Sequence, residues 1–325
     1  MLSKQNILVT GGAGFIGSNL VEYFLLQDNK VVCLDNFITG RRKNIEPFLS
    51  NPNFKLIEGD IRNYNDCQKA VQNIDYVFHQ AALGSVPRSI KDPMLTTDIN
   101  AGGFVKMLFA AKEAKIKRFI YAASSSTYGD SQELPKIEDK IGAPLSPYAI
   151  TKYVNELYAK NFSELYGIET IGLRYFNVFG KNQDPEGAYA AAIPLFIKQL
   201  INHQSPTING DGSHSRDFTY VKNVIQINEL AAVTNNNNAL NQVFNVAYGE
   251  SSNLNQLLQY LKNYLSEYDS EILDLENTYG PERVGDIPHS LASIEKAKIM
   301  LGYYPQYSLQ EGLKEAINWY WNDLK

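Results

Sequence analysis

The sequence predicts an α/β protein built on a doubly wound parallel sheet, followed by a smaller C-terminal α/β lobe. Three observations lead there. Short, near-continuously apolar runs alternate with amphipathic stretches through the first half, as strands covered on both faces and joined by crossover helices require. Gly11, Gly14 and Gly17 stand at G-x-x-G-x-x-G spacing between the first apolar run and the first amphipathic stretch. After about residue 180 the alternation stops, and helical runs broken by loops take over.

In chain order, the strand candidates are NILVT (6–10), KVVCLD (30–35), FKLIEGD (54–60), DYVFHQAA (75–82), RFIYAASS (118–125) and ETIGLRYF (169–176). Between them, residues 16–26, 100–114 and 147–165 carry apolar residues at helical spacing. Farther on, residues 188–203, 254–265, 293–301 and 309–321 read as helices. VFNVA (243–247) reads as one more strand and TNNNNAL (234–240) as a polar surface loop. No repeat and no Gly/Ser linker separates the halves. The expected division is a first domain at 1–178 and a second lobe at 179–325 packed on it, the two free to interleave.

Bulk properties exclude several classes of function. The 325 residues are 44% hydrophobic, enough for a sizeable core. Net charge is -5, and the densest basic cluster is the short GRRKN at 40–44, which argues against nucleic acid as the main partner. No apolar run approaches the ~20 residues of a membrane span. The N-terminus enters a strand pattern at once, without a signal peptide's apolar region. Cys33 and Cys67 form no close pair, and a reducing cytoplasm is the expected location. The histidines at 79, 203, 214 and 289 are scattered, so no metal site is expected. His79 reads as a strand residue with a satisfied hydrogen bond.

The glycine turn points to a dinucleotide. Glycines at this spacing permit a tight turn, a close backbone approach to a pyrophosphate and close helix–strand packing, with the helix N-terminus facing the phosphates. Asp35 ends the second strand 18 residues after Gly17, where an acid accepts from ribose hydroxyls and repels a 2′-phosphate. NAD is therefore expected over NADP, with Arg41 and Arg42 as the only counter-evidence. Asp60 in GDIR stands at a strand end where adenine can be read, and Ala81 and Ala82 at the next strand end leave room for the cofactor to pass.

SPYAITKYVNELYAKNF (146–162) places Tyr148 and Lys152 four residues apart on one helical face. An ammonium beside a phenol is expected to lower the phenol's pKa from ~10, and a nicotinamide cation adds to the effect, making a base usable near neutral pH. Lys152 can also hold the nicotinamide ribose. The preceding strand ends in the hydroxyl-rich AASSSTYGD, at the sheet edge where ligands sit. A serine there can hydrogen-bond the reacting oxygen.

With these motifs in place, the chain resembles the extended short-chain dehydrogenase/reductase family, and within it the nucleotide-sugar epimerases. TGGAGFIGS, DN at 35–36, SSSTYG, SPYAITK, LRYFNVFG, INGDGSHSRDFTYV and ERVGDIPHS match in order over essentially the whole chain. The resemblance implies a Rossmann domain, tightly bound and regenerated NAD, and C4 epimerisation of a UDP-hexose through a 4-keto sugar, with Tyr148 taking the 4-OH proton. It places Phe15, Ile16, Asn36, Ile61 and Tyr175 against the cofactor with the glycines, Asp35, Asp60, Ala81, Ala82 and Lys152. Arg216 and Arg283 fall where relatives hold the UDP diphosphate, and Asn177 where relatives also contact substrate. Ser125 and Ser126 stand where related dehydratases and decarboxylases carry carboxylates, which favours epimerisation. Counting from Tyr128 aligns Ser124 with the catalytic hydroxyl; counting from the start of the serine run gives Ser126.

GSVPRSIKDP (84–93) is similar to the substrate loop of enzymes acting on N-acetylated sugars, so Gly84 and Ser85 are expected to line the hexose site. Arg88 leaves open a uronic-acid substrate. Ser290 falls where relatives restricted to non-acetylated hexoses carry a tyrosine, which leaves room for an N-acetyl group. The expected reaction is UDP-N-acetylglucosamine to UDP-N-acetylgalactosamine. The alternatives are UDP-glucose/UDP-galactose, the 4-epimerase of the corresponding uronic acid, a dehydrogenase that releases NADH, and a non-catalytic NAD-binding protein. The helices at 100–114 and 148–165 carry apolar residues on more than one face, and in relatives these pair into a homodimer.

Overall fold

The computed structural model of the chain describes residues 1–186, 191–281 and 288–325. Seven strands form one parallel sheet: β1 (Asn6–Thr10), β2 (Lys30–Asp35), β3 (Phe54–Glu58), β4 (Tyr76–His79), β5 (Arg118–Ser124), β6 (Thr170–Tyr175) and β7 (Gln242–Val246). Each strand candidate of the first half contains its strand. The spatial order is β7-β6-β5-β4-β1-β2-β3. From β1 the chain winds outward to β3, then returns past β1 to begin the other half at β4. That reversal leaves a crevice at the carboxyl ends of β1 and β4, where open α/β sheets bind ligands. In the middle of the sheet, Val9 of β1 lies between Cys33 of β2 and Phe78 of β4, all three wholly buried.

Two layers of helices cover the sheet. One face holds α1 (Phe15–Leu26) and α8 (Val221–Val233), packed around Leu20, Phe24, Val224 and Ile227. The other holds α2 (Tyr64–Ala70), α5 (Phe104–Glu113) and α6 (Pro147–Tyr166), packed around Phe104, Leu108, Ala159 and Phe162. The short α3 (Val86–Lys91) and α4 (Pro93–Thr97) follow β4, and a π-helical stretch at Asp98–Gly103 leads into α5. The start of α6 has clear local causes. Ser146 is extended and accepts from the Ala149 N–H at 3.1 Å, and Pro147 occupies the first turn, where its missing N–H costs nothing. Gly167 ends the helix in the left-handed region, φ 73°.

The smaller lobe gathers α7 (Ala192–Ile201), α9 (Leu254–Leu265) and α11 (Leu309–Leu324) around Leu200, Ile208, Leu261 and Leu313. Both α9 and α11 open with capping boxes, Asn253 with Gln256 and Ser308 with Glu311. Short ladders complete it: Val178–Phe179 with Thr219–Tyr220, Thr207–Asn209 with Thr278–Gly280, and Ser215–Arg216 with Ser252–Asn253. The main sheet also takes a strand from late in the chain. Phe244 of β7 is wholly buried in the same cluster as Ile7, Phe78 and Ile171, so this strand, far along the chain, completes the edge of the main sheet. α10 (Glu295–Leu301) and α8 likewise pack on that cluster, through Ala297, Leu301, Val224 and Ile227.

Candidate active site

The crevice at the switch point has a volume of about 360 Å³. Its floor is built from backbone. Gly11 sits at φ +68°, and a Cβ on it would lie 2.8 Å from the Ala81 Cα. A Cβ on Gly17 would lie 2.1 Å from the Gly11 carbonyl oxygen. Any side chain at either position would force the β1 turn, the α1 helix and the loop after β4 apart. Phe15, Ile16, Asp35, Asn36, Ile61, Ala81, Ala82, Lys152 and Tyr175 line the crevice with Gly11, Gly14 and Gly17, so nearly every cofactor residue expected from the sequence converges here.

The donor set fits a dinucleotide such as NAD. Asp35 is buried, its carboxylate accepting from the Ala13 and Phe37 N–H groups at 2.9 and 2.8 Å, with burial pushing its pKa up. The two arginines that could have favoured a 2′-phosphate are engaged elsewhere. Arg41 pairs with Asp184, and Arg42 pairs with Glu58 at 2.6 Å and lies over the Phe37 ring. Gln80, which sequence reasoning missed, donates to the Tyr175 hydroxyl at 3.1 Å, while its own buried carbonyl oxygen has no partner. An acceptor held ready in a crevice wall suits a ligand with hydroxyl or amide donors. Asp60 sits at the strand end, but its carboxylate takes hydrogen bonds from Arg62 and from Asn36 at 2.8 Å, which hold its pKa down to about 2; its neighbours Gly59 and Ile61 supply the lining.

The reacting groups enter from two elements. β5 delivers Ser124 and α6 delivers Tyr148 and Lys152, all three in the crevice wall. Ser124 lies close enough to the Tyr148 phenol to oppose the rise in its pKa. Ser126 sits one step back: its hydroxyl donates to the Ser124 Oγ at 2.9 Å and its N–H at 3.2 Å. The geometry therefore puts Ser124 against Tyr148 and Ser126 behind Ser124. Ser125 follows in the same short turn. Lys152 is buried and donates to the Ala122 carbonyl at 2.8 Å, its Nζ 5.9 Å from the Tyr148 ring centre.

The electrostatics differ from the expected lowering of Tyr148 by Lys152. Tyr148 as a residue is partly exposed, but its hydroxyl is enclosed, which raises its pKa against the opposing effect of Ser124. Lys152 is pushed down to about 8 by burial, with the nearby Glu156 carboxylate opposing. Each group sits where charge is disfavoured, and the ammonium is aimed at a carbonyl rather than at the phenol. Glu156, one turn after Lys152, is itself clamped bidentately by Arg174 of β6 at 2.7 and 2.9 Å. That buried pair ties α6 to the sheet behind the site. Asn100 does the same from the side, bridging both polar backbone atoms of Leu83 and the Thr151 hydroxyl.

The substrate residues expected from the sequence divide. Gly84 lines the crevice, and Ser85 beside it holds φ +101° while capping α3 through the Arg88 N–H. A serine in that backbone region is strained, and such strain clusters at functional sites. Asn177, at φ +35°, donates to the Asp217 carbonyl at 3.0 Å. Arg216 donates to the carbonyls of Ser215 and Pro288, and the Ser290 N–H returns a bond to the Ser215 carbonyl. Asn177, Arg216 and Ser290 thus meet through one short stretch of chain. Arg283 lies outside the described residues. His79 bonds Thr10 at 2.9 Å and is buried between Phe104 and Phe119, its pKa pushed down to about 3, as suits a structural residue. Among the described residues, one group of potential metal ligands meets, His203, Asp269 and Glu271, at the surface. No described helix is long and apolar enough to cross a membrane.

A glycine-lined switch-point crevice with Ser124, Tyr148 and Lys152 in its wall defines a nucleotide-dependent α/β enzyme site. The family model "NAD dependent epimerase/dehydratase family" matches residues 7–247, and the chain belongs to that family. It is 37% identical to the "Putative UDP-glucose 4-epimerase" of Methanocaldococcus jannaschii over 98% of this chain and 99% of that one. It is also similar to the solved UDP-N-acetylglucosamine 4-epimerase from Methanobrevibacter ruminantium in complex with UDP-N-acetylmuramic acid, with TM-score 0.91, 39% identity and coverage of 99% and 100%. The UDP-glucose 4-epimerase of Thermotoga maritima with UDP-glucose gives TM-score 0.90 and 34% identity, covering 98% of this chain and 100% of that one.

Lys152 makes a prediction about the nucleotide-free protein. Its folded pKa, about 8, lies below its unfolded value of 10.5, so the folded state binds fewer protons between them. The cost to stability is fully present below about pH 8 and is relieved as pH rises toward 10.5. In urea unfolding, Lys152→Met should be more stable than the parent near neutral pH, with the gap closing in alkali. A less stable variant at neutral pH would contradict the charge balance described.

Proposed function

We propose that the protein is a UDP-sugar 4-epimerase acting on UDP-N-acetylglucosamine and UDP-N-acetylgalactosamine with tightly bound NAD. The observation that carries the reading is the convergence of Ser124, Tyr148 and Lys152 on the glycine-lined crevice with no carboxylate at Ser125 or Ser126. The names of the three relatives described above, 4-epimerases of UDP-sugars, point the same way. NAD, when bound, would supply a hydride acceptor for C4 and, in its oxidised form, a positive charge. Tyr148 takes the proton of the 4-hydroxyl and later returns it to the opposite configuration. Ser124 holds the reacting oxygen and the phenol in one hydrogen-bonded line, supported by Ser126. Lys152, fixed by the Ala122 carbonyl, would hold the nicotinamide ribose. Elimination of water or loss of a carboxyl needs an acid or base that Ser125 and Ser126 do not provide, so the 4-keto sugar has one exit: reduction on either face.

The test is direct. Purified protein incubated with UDP-GlcNAc and no added NAD should form UDP-GalNAc by NMR, and Tyr148→Phe should abolish this while retaining bound nucleotide. Activity of the variant within severalfold of the parent would remove Tyr148 from the mechanism.

Specificity for the acetylated sugar rests on Ser290. It is partly buried beside the Ser215–Arg216 strand, and a tyrosine there would add bulk next to Arg216; over-filling a packed site costs ~1–3 kcal/mol. Ser290→Tyr should lower kcat/KM for UDP-GlcNAc by tenfold or more relative to UDP-glucose. An unchanged ratio would place the gate elsewhere.

The enzyme is also proposed to be a cytoplasmic homodimer. Phe109 of α5 and Leu157, Tyr158, Leu165 and Tyr166 of α6 are exposed, an apolar face of the kind that pairs across a two-fold axis. Light scattering at micromolar concentration should give twice the chain mass; a monomer mass would overturn the assignment.

A further inference from the structure

The stretch joining the three substrate residues has Asp217 at its centre, and Asp217 has no place in the chemistry above. It is 0% exposed. Its carboxylate accepts only backbone N–H groups among the described residues: Tyr248 at 3.0 Å, Gly249 at 3.1 Å and Ala292 at 3.3 Å. These donors belong to two segments. One is the turn that leaves β7 at the edge of the sheet; the other is the 288–293 segment that carries Ser290. The Asp217 carbonyl takes the Asn177 side chain, and the preceding residue is Arg216. In the 288–293 segment, Ser215 pairs with Pro288 and Ser290 and Lys136 pairs with Leu291 and Ser293; Asp217 adds a third tie, at Ala292.

A buried carboxylate with three amide donors and, among the described residues, no lysine or arginine bonded to it is a poor device for stability. Burial pushes its pKa up to about 7, with Glu250 adding to the rise and the three amides opposing it. The ionised form therefore costs folding free energy that an asparagine would not, and a residue retained at such a cost marks function. What an asparagine cannot do is accept on both sides: its amide NH₂ would face one of the two segments donor to donor.

We infer that Asp217 is the positioning residue for the nucleotide-sugar subsite, setting Arg216, Asn177 and the Ser290 segment in register at the edge of the sheet. The inference rests on the UDP-sugar reading, which assigns those three residues to substrate. Loss of the carboxylate leaves the crevice under Gly11 and Gly17 intact, because none of its partners lines it. It frees two segments that approach the sugar nucleotide from the other lobe. Substrate affinity falls while cofactor retention does not.

The experiment uses the purified holoenzyme and UDP as the probe, by calorimetry, beside nucleotide content and thermal unfolding. Asp217→Asn should bind UDP at least tenfold more weakly and show a comparably raised KM for UDP-GlcNAc. Its kcat should stay within threefold and its bound dinucleotide at parent stoichiometry. UDP binding within twofold of the parent would overturn the inference, as would a loss of Tm and dinucleotide in step with UDP affinity, which marks a merely structural residue. Asp217→Ser, which keeps an acceptor in a smaller volume, replaces the asparagine variant if that one is insoluble, with the same two outcomes decisive. A parent protein that bound no UDP would sink the functional reading itself, and this inference with it, so the two failures are distinguishable.

Discussion

Everything at this site depends on how closely three pieces of backbone meet at the carboxyl ends of β1 and β4. The Gly11 turn, the first turn of α1 and the loop after β4 approach to distances that exclude a Cβ at Gly11 and Gly17. Side chains are absent there, so main-chain groups form the floor, and a pyrophosphate can lie against them. The strand order makes the meeting possible: β1 is flanked by β2 and β4, which lead to opposite halves of the wound chain. Hydrophobic packing holds the sheet together, but this one crowded contact decides where a ligand goes.

The second constraint is the rigidity of α6. It carries Tyr148 and Lys152 as a unit, and three buried polar links fix it against the sheet: Lys152 to Ala122, Glu156 to Arg174, and Thr151 through Asn100 to Leu83. Buried charges are tolerated when paired and hydrogen-bonded, and breaking such a pair is costly. The consequence is chemical as well as mechanical. Tyr148 and Lys152 are held in an environment that favours their neutral forms, so proton movement at the phenol responds strongly to any charge brought into the crevice.

Much of this was legible in the residues. The strands of the first half follow from their apolar runs, and α6 from the helical spacing of apolar residues over 147–165. The glycine turn, Asp35, Ser124, Tyr148 and Lys152 converge where their motifs point. Other features left weaker traces. β7 looks like any short apolar run, and nothing local says that it joins a sheet begun more than two hundred residues earlier; its pairing with β6 is a tertiary fact. α8 begins directly after an extended pair, Thr219–Tyr220, which masks its helical period. Gln80 and Asp217 reveal their roles only through geometry, the first by an unpartnered buried oxygen and the second by donors drawn from distant segments. Glu156 did leave a signal, standing one further turn after Tyr148 and Lys152. The Tyr148 electrostatics went the other way from the simple pair argument, because spacing on a helix does not report burial.

The central claim is that hydride leaves C4 of a UDP-sugar and returns to it inside one closed site. The most direct test is to run the reaction on UDP-GlcNAc in D₂O with catalytic amounts of protein and read C4 of both epimers by NMR. The account predicts that UDP-GalNAc forms with protium retained at C4, because the hydride never exchanges with solvent. Deuterium appearing at C4 in step with turnover would contradict it and require a proton-transfer mechanism at that carbon.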